Sequence, residues 1–270
     1  MTASRHAVVS LAALDVRREP DHRSELTSQL LLGEGVACLG LRGEGTWWRV
    51  EGLADGYRGW VRSWGLVPAS LRRIASWQDR ASARVSVPVL EVRALPGRGA
   101  MVSPLYLNSV VIPGARRGRH RRVELPDGRR GWVPASCLSA PGERPSLDAR
   151  IRSLLGVPYH WGGRTPLGFD CSGFTQQVLV EQGVALPRDC QHQYRASRPL
   201  PRGRQPDLGD LVFFAAPGQR PGHVGIGLGG GYFAHCRGRV MISTLETGNP
   251  LCANDLVGQF VAWMSPGPAP

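Results

Sequence analysis

Through the first half of the chain, short β-branched and aromatic runs alternate with polar residues and are divided by turn signals such as GEG, DG and PG, the pattern of an all-β region. AVVSLAAL (7–14) reads as a first strand. WWRVEGLA (47–54) and YRGWV (57–61) flank Asp55-Gly56, the dipeptide of a tight hairpin. The pattern then recurs: LDVRREP (14–20) matches LEVRALP (90–96) at an offset of 76, RVE (49–51) matches RVE (122–124) at 73, and DGYRGWV (55–61) matches DGRRGWV (127–133) at 72. Two copies of one unit therefore follow each other, and the falling offset reflects loops of different length. Five or six short strands in each copy predict two small barrels, residues 1–72 and 73–141. RIASWQDRASA (73–83) predicts a helical or irregular link, and APGERPS (140–146) closes the second copy.

From residue 142 to 270 the periodicity is mixed. Ser146 is placed to cap a helix whose apolar face is Leu147, Ile151, Leu154 and Leu155, with Gly156 as its stop. A loop rich in glycine and proline, VPYHWGGRTPLGFD, follows without any period. A second helix is predicted from about Cys171, with Asp170 as N-cap, Phe174, Val178 and Leu179 as its stripe, and Gly183 at its end. Later come strand-like runs, notably HVGIGLGGGYFAH (223–235). The whole is an α+β domain behind two all-β ones.

Composition narrows the chemistry. The chain has 270 residues and a formal charge of +12, and all 33 of its basic residues are arginine. The arginines are scattered, densest at ARRGRHRR (115–122) and without an aromatic ladder, which argues against nucleic-acid binding and leaves two readings, an ordinary solvated surface and a basic surface suited to acidic ligands. Six widely spaced cysteines with no CxxC pair form neither a disulfide framework nor a zinc site. No apolar run reaches the length of a membrane helix. The free thiols and the lack of a signal-like segment favour the cytoplasm, with export as the alternative. No cofactor and no metal are expected, and the chain is expected to act as a monomer.

Cys171 stands out in GFDCSGF (168–174). At a helix N-terminus its thiolate gains from the helix dipole, and its own N–H can donate to an oxyanion forming on a substrate. A thiol nucleophile needs an imidazole. With Gly229, Gly230 and Gly231 as a three-residue loop, Leu228 pairs with Tyr232 and Gly225 with His235, so His223 and His235 share one face of a hairpin. His223 is then the candidate base and His235 the residue that orients it.

The pieces LLGVPYHWGG, DCSGF, LPRD, LGDLVFF and HVGIGLGGGYFAH, in this order from about 145 to 265, resemble the NlpC/P60 cysteine peptidases. The resemblance implies a papain-like fold, Cys171 as nucleophile, His223 as base, His235 as the third polar residue and Tyr159 lining the site. The LxVR and GWV elements of the repeats resemble bacterial SH3-type domains. Two such domains before this catalytic domain resemble the γ-D-glutamyl-L-diamino acid endopeptidases, which act on murein peptides carrying a free N-terminal L-alanine. By the same resemblance Asp170 and Ser172 hold the substrate amine, with Tyr57 and an acid of the first copy. Glu25 is the acid favoured, and Glu19 and Glu34 are rivals. Two other readings stay open: a related thiol amidase or acyltransferase, and a non-catalytic wall-binding module.

Overall fold

The computed structural model describes residues 6–140 and 142–267; Pro141, where the sequence boundary of the second copy falls, lies outside the described residues. The chain forms two units, Met1–Glu143 and Arg144–Pro270.

In the first unit the sequence repeat is a structural one. β1 (His6–Val9), β2 (Ala13–Arg17), β3 (Leu26–Leu31), β4 (Gly35–Arg42), β5 (Trp47–Gly52), β6 (Arg58–Arg62) and β7 (Leu66–Ala69) form a sheet in the order β3-β2-β6-β5-β4-β1-β7. After α1 (Leu71–Arg80) come β8 (Ala83–Val85), β9 (Val89–Leu95), β10 (Arg98–Tyr106), β11 (Val110–Arg117), β12 (His120–Glu124), β13 (Arg130–Pro134) and β14 (Leu138–Ser139), in the matching order β10-β9-β13-β12-β11-β8-β14. Each copy thus has seven strands, more than the run pattern shows. AVVSLAAL is split between β1 and β2, because the chain bends at Leu11 and Ala12, just after Ser10, whose N–H donates to Gly65 O at 2.9 Å. Period-2 alternation then sends Leu14, Val16, Val50 and Val61 into one core and Leu90, Val92, Val123 and Val133 into the other. The link is helical: Ser70 caps α1 by accepting from Arg73 N, and Trp77 is buried with its Nε1–H donating to Gly33 O at 3.1 Å.

The second unit contains α2 (Leu147–Ser153), the short pair β15 (Arg164–Thr165) and β16 (Gly168–Phe169), α3 (Cys171–Leu179) and α4 (Cys190–Ala196). It continues with β17 (Arg198–Pro199), β18 (Leu211–Phe214), β19 (His223–Gly229), β20 (Tyr232–Arg237), β21 (Arg239–Thr244), α5 (Asn254–Val257) and β22 (Phe260–Ser265). Its antiparallel sheet runs β17-β22-β18-β19-β20-β21, and α3 lies against β19 and β20. Ser146 caps α2 as its position predicts, and Gly183 ends the short 3-10 turn after α3 with φ +78°. A single apolar stripe does not describe α3. All nine of its residues are buried, including Thr175, Gln176 and Gln177. Their polar groups are met inside the fold: Thr175 Oγ1 donates to Gln193 Oε1 at 2.8 Å and Gln176 Nε2 to Leu186 O at 2.9 Å. The paired Arg150 and Glu181, 7% and 3% exposed at their side chains, tie α2 to the far end of this helix. No helix among the described residues is long and apolar enough to cross a membrane.

Candidate active site

Asp170 is the N-cap of α3, as its place before the apolar positions predicts, and its Oδ1 accepts from Gly173 N at 2.6 Å. Cys171 is therefore the first helical residue, 7% exposed. The first turn of α3 presses on the preceding loop so closely that a Cβ on Gly173 would stand 2.1 Å from Gly163 O. Gly173 thus lets loop and helix come together.

The sulfur lies against the start of β19, with Sγ 3.9 Å from Gly222 O and beside the Val224 N–H. These two backbone groups flank His223. The His223 ring bonds through Nε2 to His235 Nδ1 at 2.8 Å, and His235 Nε2 reaches Ser243 Oγ at 3.1 Å on β21. That chain fixes the histidine rings and leaves Nδ1 of His223 uncommitted to it.

The β19–β20 hairpin sets this geometry, by a turn that differs from the sequence reading. Gly225 pairs with His235 as expected, but Tyr232 pairs with Gly229, not Leu228. The turn is Gly230-Gly231, and Leu228 is accommodated by a bulge between Gly227 and Gly229. Gly229, Gly230 and Gly231 have φ of +81°, +60° and +81°, a run in the left-handed region that only glycine tolerates cheaply. The extra residue comes from the bulge, so His223 and His235 still share a face. Cys236, the next residue, points the other way and donates to Phe169 O at 3.1 Å.

Each group is held neutral on its own. Burial, then the Asp170 charge, pushes the Cys171 thiol up to about 12, against the opposing pull of the Val224 N–H and Arg188. Burial, helped by His235 and Arg237, lowers His223 to about 3, and burial with Arg237 lowers His235 to about 4. A lone thiolate or a lone imidazolium is therefore costly here. Moving the proton from sulfur to ring creates both charges together, each offsetting the other. Tyr159, half-buried, is pushed up by its burial and then by the Cys171 and Asp170 charges, so its hydroxyl stays a donor.

The depressed histidines make a prediction about stability. An unfolded histidine takes a proton near its ordinary value of 6.5, whereas these two accept theirs only near 3 and 4 when folded. Between those limits the unfolded chain binds more protons, so the contribution is intact above 6.5 and is lost as pH falls towards 3. The urea midpoint is expected to be lower at about pH 4.5 than at pH 7, with a smaller difference in a His223→Gln/His235→Gln variant. An equal difference in both proteins contradicts the assignment.

Ser172 and Asp170 are both buried, and the sequence missed their main partner. Arg188, 1% exposed, donates from Nη1 to Asp170 Oδ1 at 3.0 Å and from Nη2 to Oδ2 at 2.5 Å, and Nη1 also reaches Ser172 Oγ at 3.0 Å. Gly162 N adds a bond to Asp170 Oδ2 at 3.0 Å. Arg188 was visible only as part of LPRD, and Gln193, which bonds Ser172 O at 3.0 Å, had no signal beyond its place as the last residue of QHQ (191–193). In the other unit, Tyr57 packs on the first core and its hydroxyl donates to Thr27 O at 3.3 Å, two residues beyond Glu25. Glu25 pairs with Arg18 at 2.5 Å, Glu34 accepts from Leu31 N, and Glu19 is exposed.

The chain is similar to known proteins in both sequence and fold. The NlpC/P60 family model matches residues 156–257, and the bacterial dipeptidyl-peptidase Sh3 domain model matches residues 16–66. Over 220 residues the chain is 41% identical to the gamma-D-glutamyl-L-lysine dipeptidyl-peptidase of Bacillus subtilis, covering 78% of this chain and 72% of that protein. The protein of that name from Bacillus cereus is 26% identical over 82% of this chain and 70% of its own length. The crystal structure of an NlpC/P60 family protein from Bacillus cereus superposes with a TM-score of 0.82 at 21% identity, over 97% of this chain and 99% of that one.

Proposed function

The chain belongs to the NlpC/P60 family of cysteine peptidases, and from that premise we propose that it hydrolyses the γ-D-glutamyl–diamino acid bond of murein peptides with a free N-terminal L-alanine, releasing L-Ala-γ-D-Glu. The observation that carries the chemistry is the placement of the Cys171 sulfur against the backbone flanking His223, whose ring is held by His235 and Ser243. In this reading His223 takes the Cys171 proton as sulfur attacks the amide carbon. The oxyanion is met by the Cys171 N–H at the helix terminus and by the Tyr159 hydroxyl. His223 then protonates the departing amine of the diamino acid, and the thioester is hydrolysed by water that His223 deprotonates.

Specificity for a free amine is proposed to rest on Asp170 and Ser172. Asp170 already pairs with Arg188, so an incoming ammonium shares a carboxylate whose position is fixed in advance. The two seven-stranded sheets are proposed to be SH3-type barrels, with domains at 1–72, 73–141 and 142–270. The B. subtilis relative carries L-lysine in its name, and both L-lysine and meso-diaminopimelate fit this reading.

The test is a matched hydrolysis assay by mass spectrometry. L-Ala-γ-D-Glu-L-Lys, the meso-diaminopimelate analogue and the N-acetylated form of each are incubated with enzyme. Acetylation is expected to lower kcat/KM by roughly 10²-fold or more, since it removes the ammonium and sets a neutral amide and a methyl group against the Asp170 and Ser172 oxygens. Equal cleavage of free and acetylated peptides would remove the amine pocket and leave the peptidase.

A further inference from the structure

The second copy carries a cleft that the proposed reaction does not use. Trp132 on β13 stands opposite Arg93 on β9 and Arg122 on β12, while His120 stands opposite both Pro134 and Arg117. Opposed residues share a face, and Val92, Val123 and Val133 between them point into the core, so this is the outer face of the sheet. Glu91, Arg93, Gly97, Arg119, His120 and Trp132 line a concavity of about 530 Å³ there. That volume is in the range of sites for small molecules and short peptides.

The first copy has the same face, and its own chain fills it. Arg17 faces Trp60 as Arg93 faces Trp132. Residues 18–25, between β2 and β3, fold back over this face: Arg17 Nη1 donates to Ser24 O at 2.7 Å and the His22 ring packs 5.1 Å from that of Trp47. The Arg62 guanidinium lies over Trp47 at 4.9 Å, and Trp47 is 6% exposed. In the second copy the matching segment, residues 94–100, crosses the same face, with Arg93 Nη1 donating to Gly99 O at 3.0 Å, but it sets Gly97, which has no side chain, against His120 where the first copy sets the His22 ring against Trp47. His120 stands where Trp47 does, and Pro134 where Arg62 does. The ring that fills this face in the first copy is missing from the second, and the concavity stands in its place.

Its charge suggests the occupant. Arg117, Arg119 and Arg122 are exposed and have no side-chain hydrogen bond or ion pair among the described residues. They belong to ARRGRHRR, the densest basic run of the chain. Guanidinium forks match carboxylates two bonds at a time, and Trp132 offers a flat apolar platform between them. Glu91, paired with Arg93, is the one acid in the lining. It gives an acceptor for peptide N–H groups, donors that a phosphodiester backbone lacks, which favours peptide over nucleic acid.

We propose that this cleft binds a short acidic peptide, its carboxylates taken by Arg119 and Arg93 and its backbone lying on Trp132. The proposal stands on the second copy alone and does not depend on which bond the catalytic unit cuts. The test uses the full chain carrying Cys171→Ala and an N-acetylated tetraglutamate amide, which has no free amine, titrated by calorimetry at low salt. Binding is expected, weakening as salt rises. It is expected to fall about tenfold or more with Arg119→Glu and with Trp132→Ala. Arg49→Glu, the same charge change on the first copy, is expected to leave it within about twofold. Arg119 is exposed in the turn that joins β11 to β12, so its substitution spares the core, and a thermal melt checks this. No binding, an equal loss in Arg49→Glu and Arg119→Glu, or tighter binding of a thymidine oligonucleotide at the same salt overturns the proposal.

Discussion

Replacing Cys171 by alanine is expected to lower kcat by roughly 10⁴-fold or more while leaving the protein folded. The size of the effect follows from chemistry: without sulfur there is no thioester, and the remaining donors at the helix terminus can only polarise the amide for attack by water. The fold is spared because Asp170, not the thiol, caps α3, and alanine keeps helix propensity at that position. His223→Ala is expected to be almost as damaging, and the double variant little worse than either single one, because sulfur and ring act as a unit. His235→Ala is expected to be milder, since it releases the ring without removing it. Single-turnover hydrolysis of the free-amine tripeptide, read with near-ultraviolet circular dichroism as the fold check, decides the matter. Residual turnover within tenfold of the parent would mean that another group attacks.

Arg188→Ala is expected to destabilise the protein by about 3–5 kcal/mol, the range for breaking a buried pair by removing one partner. The Asp170 carboxylate would keep its bonds from Gly162, Gly173 and Ser172 but lose the cation beside it. The loss lies in an uncompensated buried charge, so it is expected to be largely recovered by Arg188→Met combined with Asp170→Asn. Activity separates this from simple destabilisation. Arg188 bonds both residues that flank Cys171, so Arg188→Lys, which keeps the charge but not the two-pronged geometry, is expected to recover stability more fully than kcat/KM. Urea unfolding and steady-state kinetics on the same preparations test both halves. A destabilisation below about 1 kcal/mol in Arg188→Ala would show that the pair does not hold this corner of the fold.

These two expectations differ in where they could be read. Asp170 and Cys171 lie within one helical turn of each other, and capping is a local matter of one carboxylate and the N–H three residues on. Arg188 meets Asp170 across 18 residues of chain, through the whole of α3, a 3-10 turn and a loop, and no local pattern encodes such a meeting.

The same division runs through the molecule. The sequence by itself determined the repeat, because two copies of one sheet need the same alternation and the same turn residues. It determined the caps Asp170 and Ser146, and the shared face of His223 and His235, because strand side chains alternate strictly and Gly225 fixes the register. Only the tertiary structure decided that α3 is buried on every side, that Ser243 ends the histidine chain, that a bulge at Leu228 replaces a wider turn, and that Arg188 stands behind Asp170. It alone showed that His22 and Arg62 pack on Trp47 in one copy while a concavity stands on the matching face of the other. The physical reason is range: capping, alternation and turn chemistry act over a few residues, whereas burial and ion pairing depend on which distant segments the fold brings together.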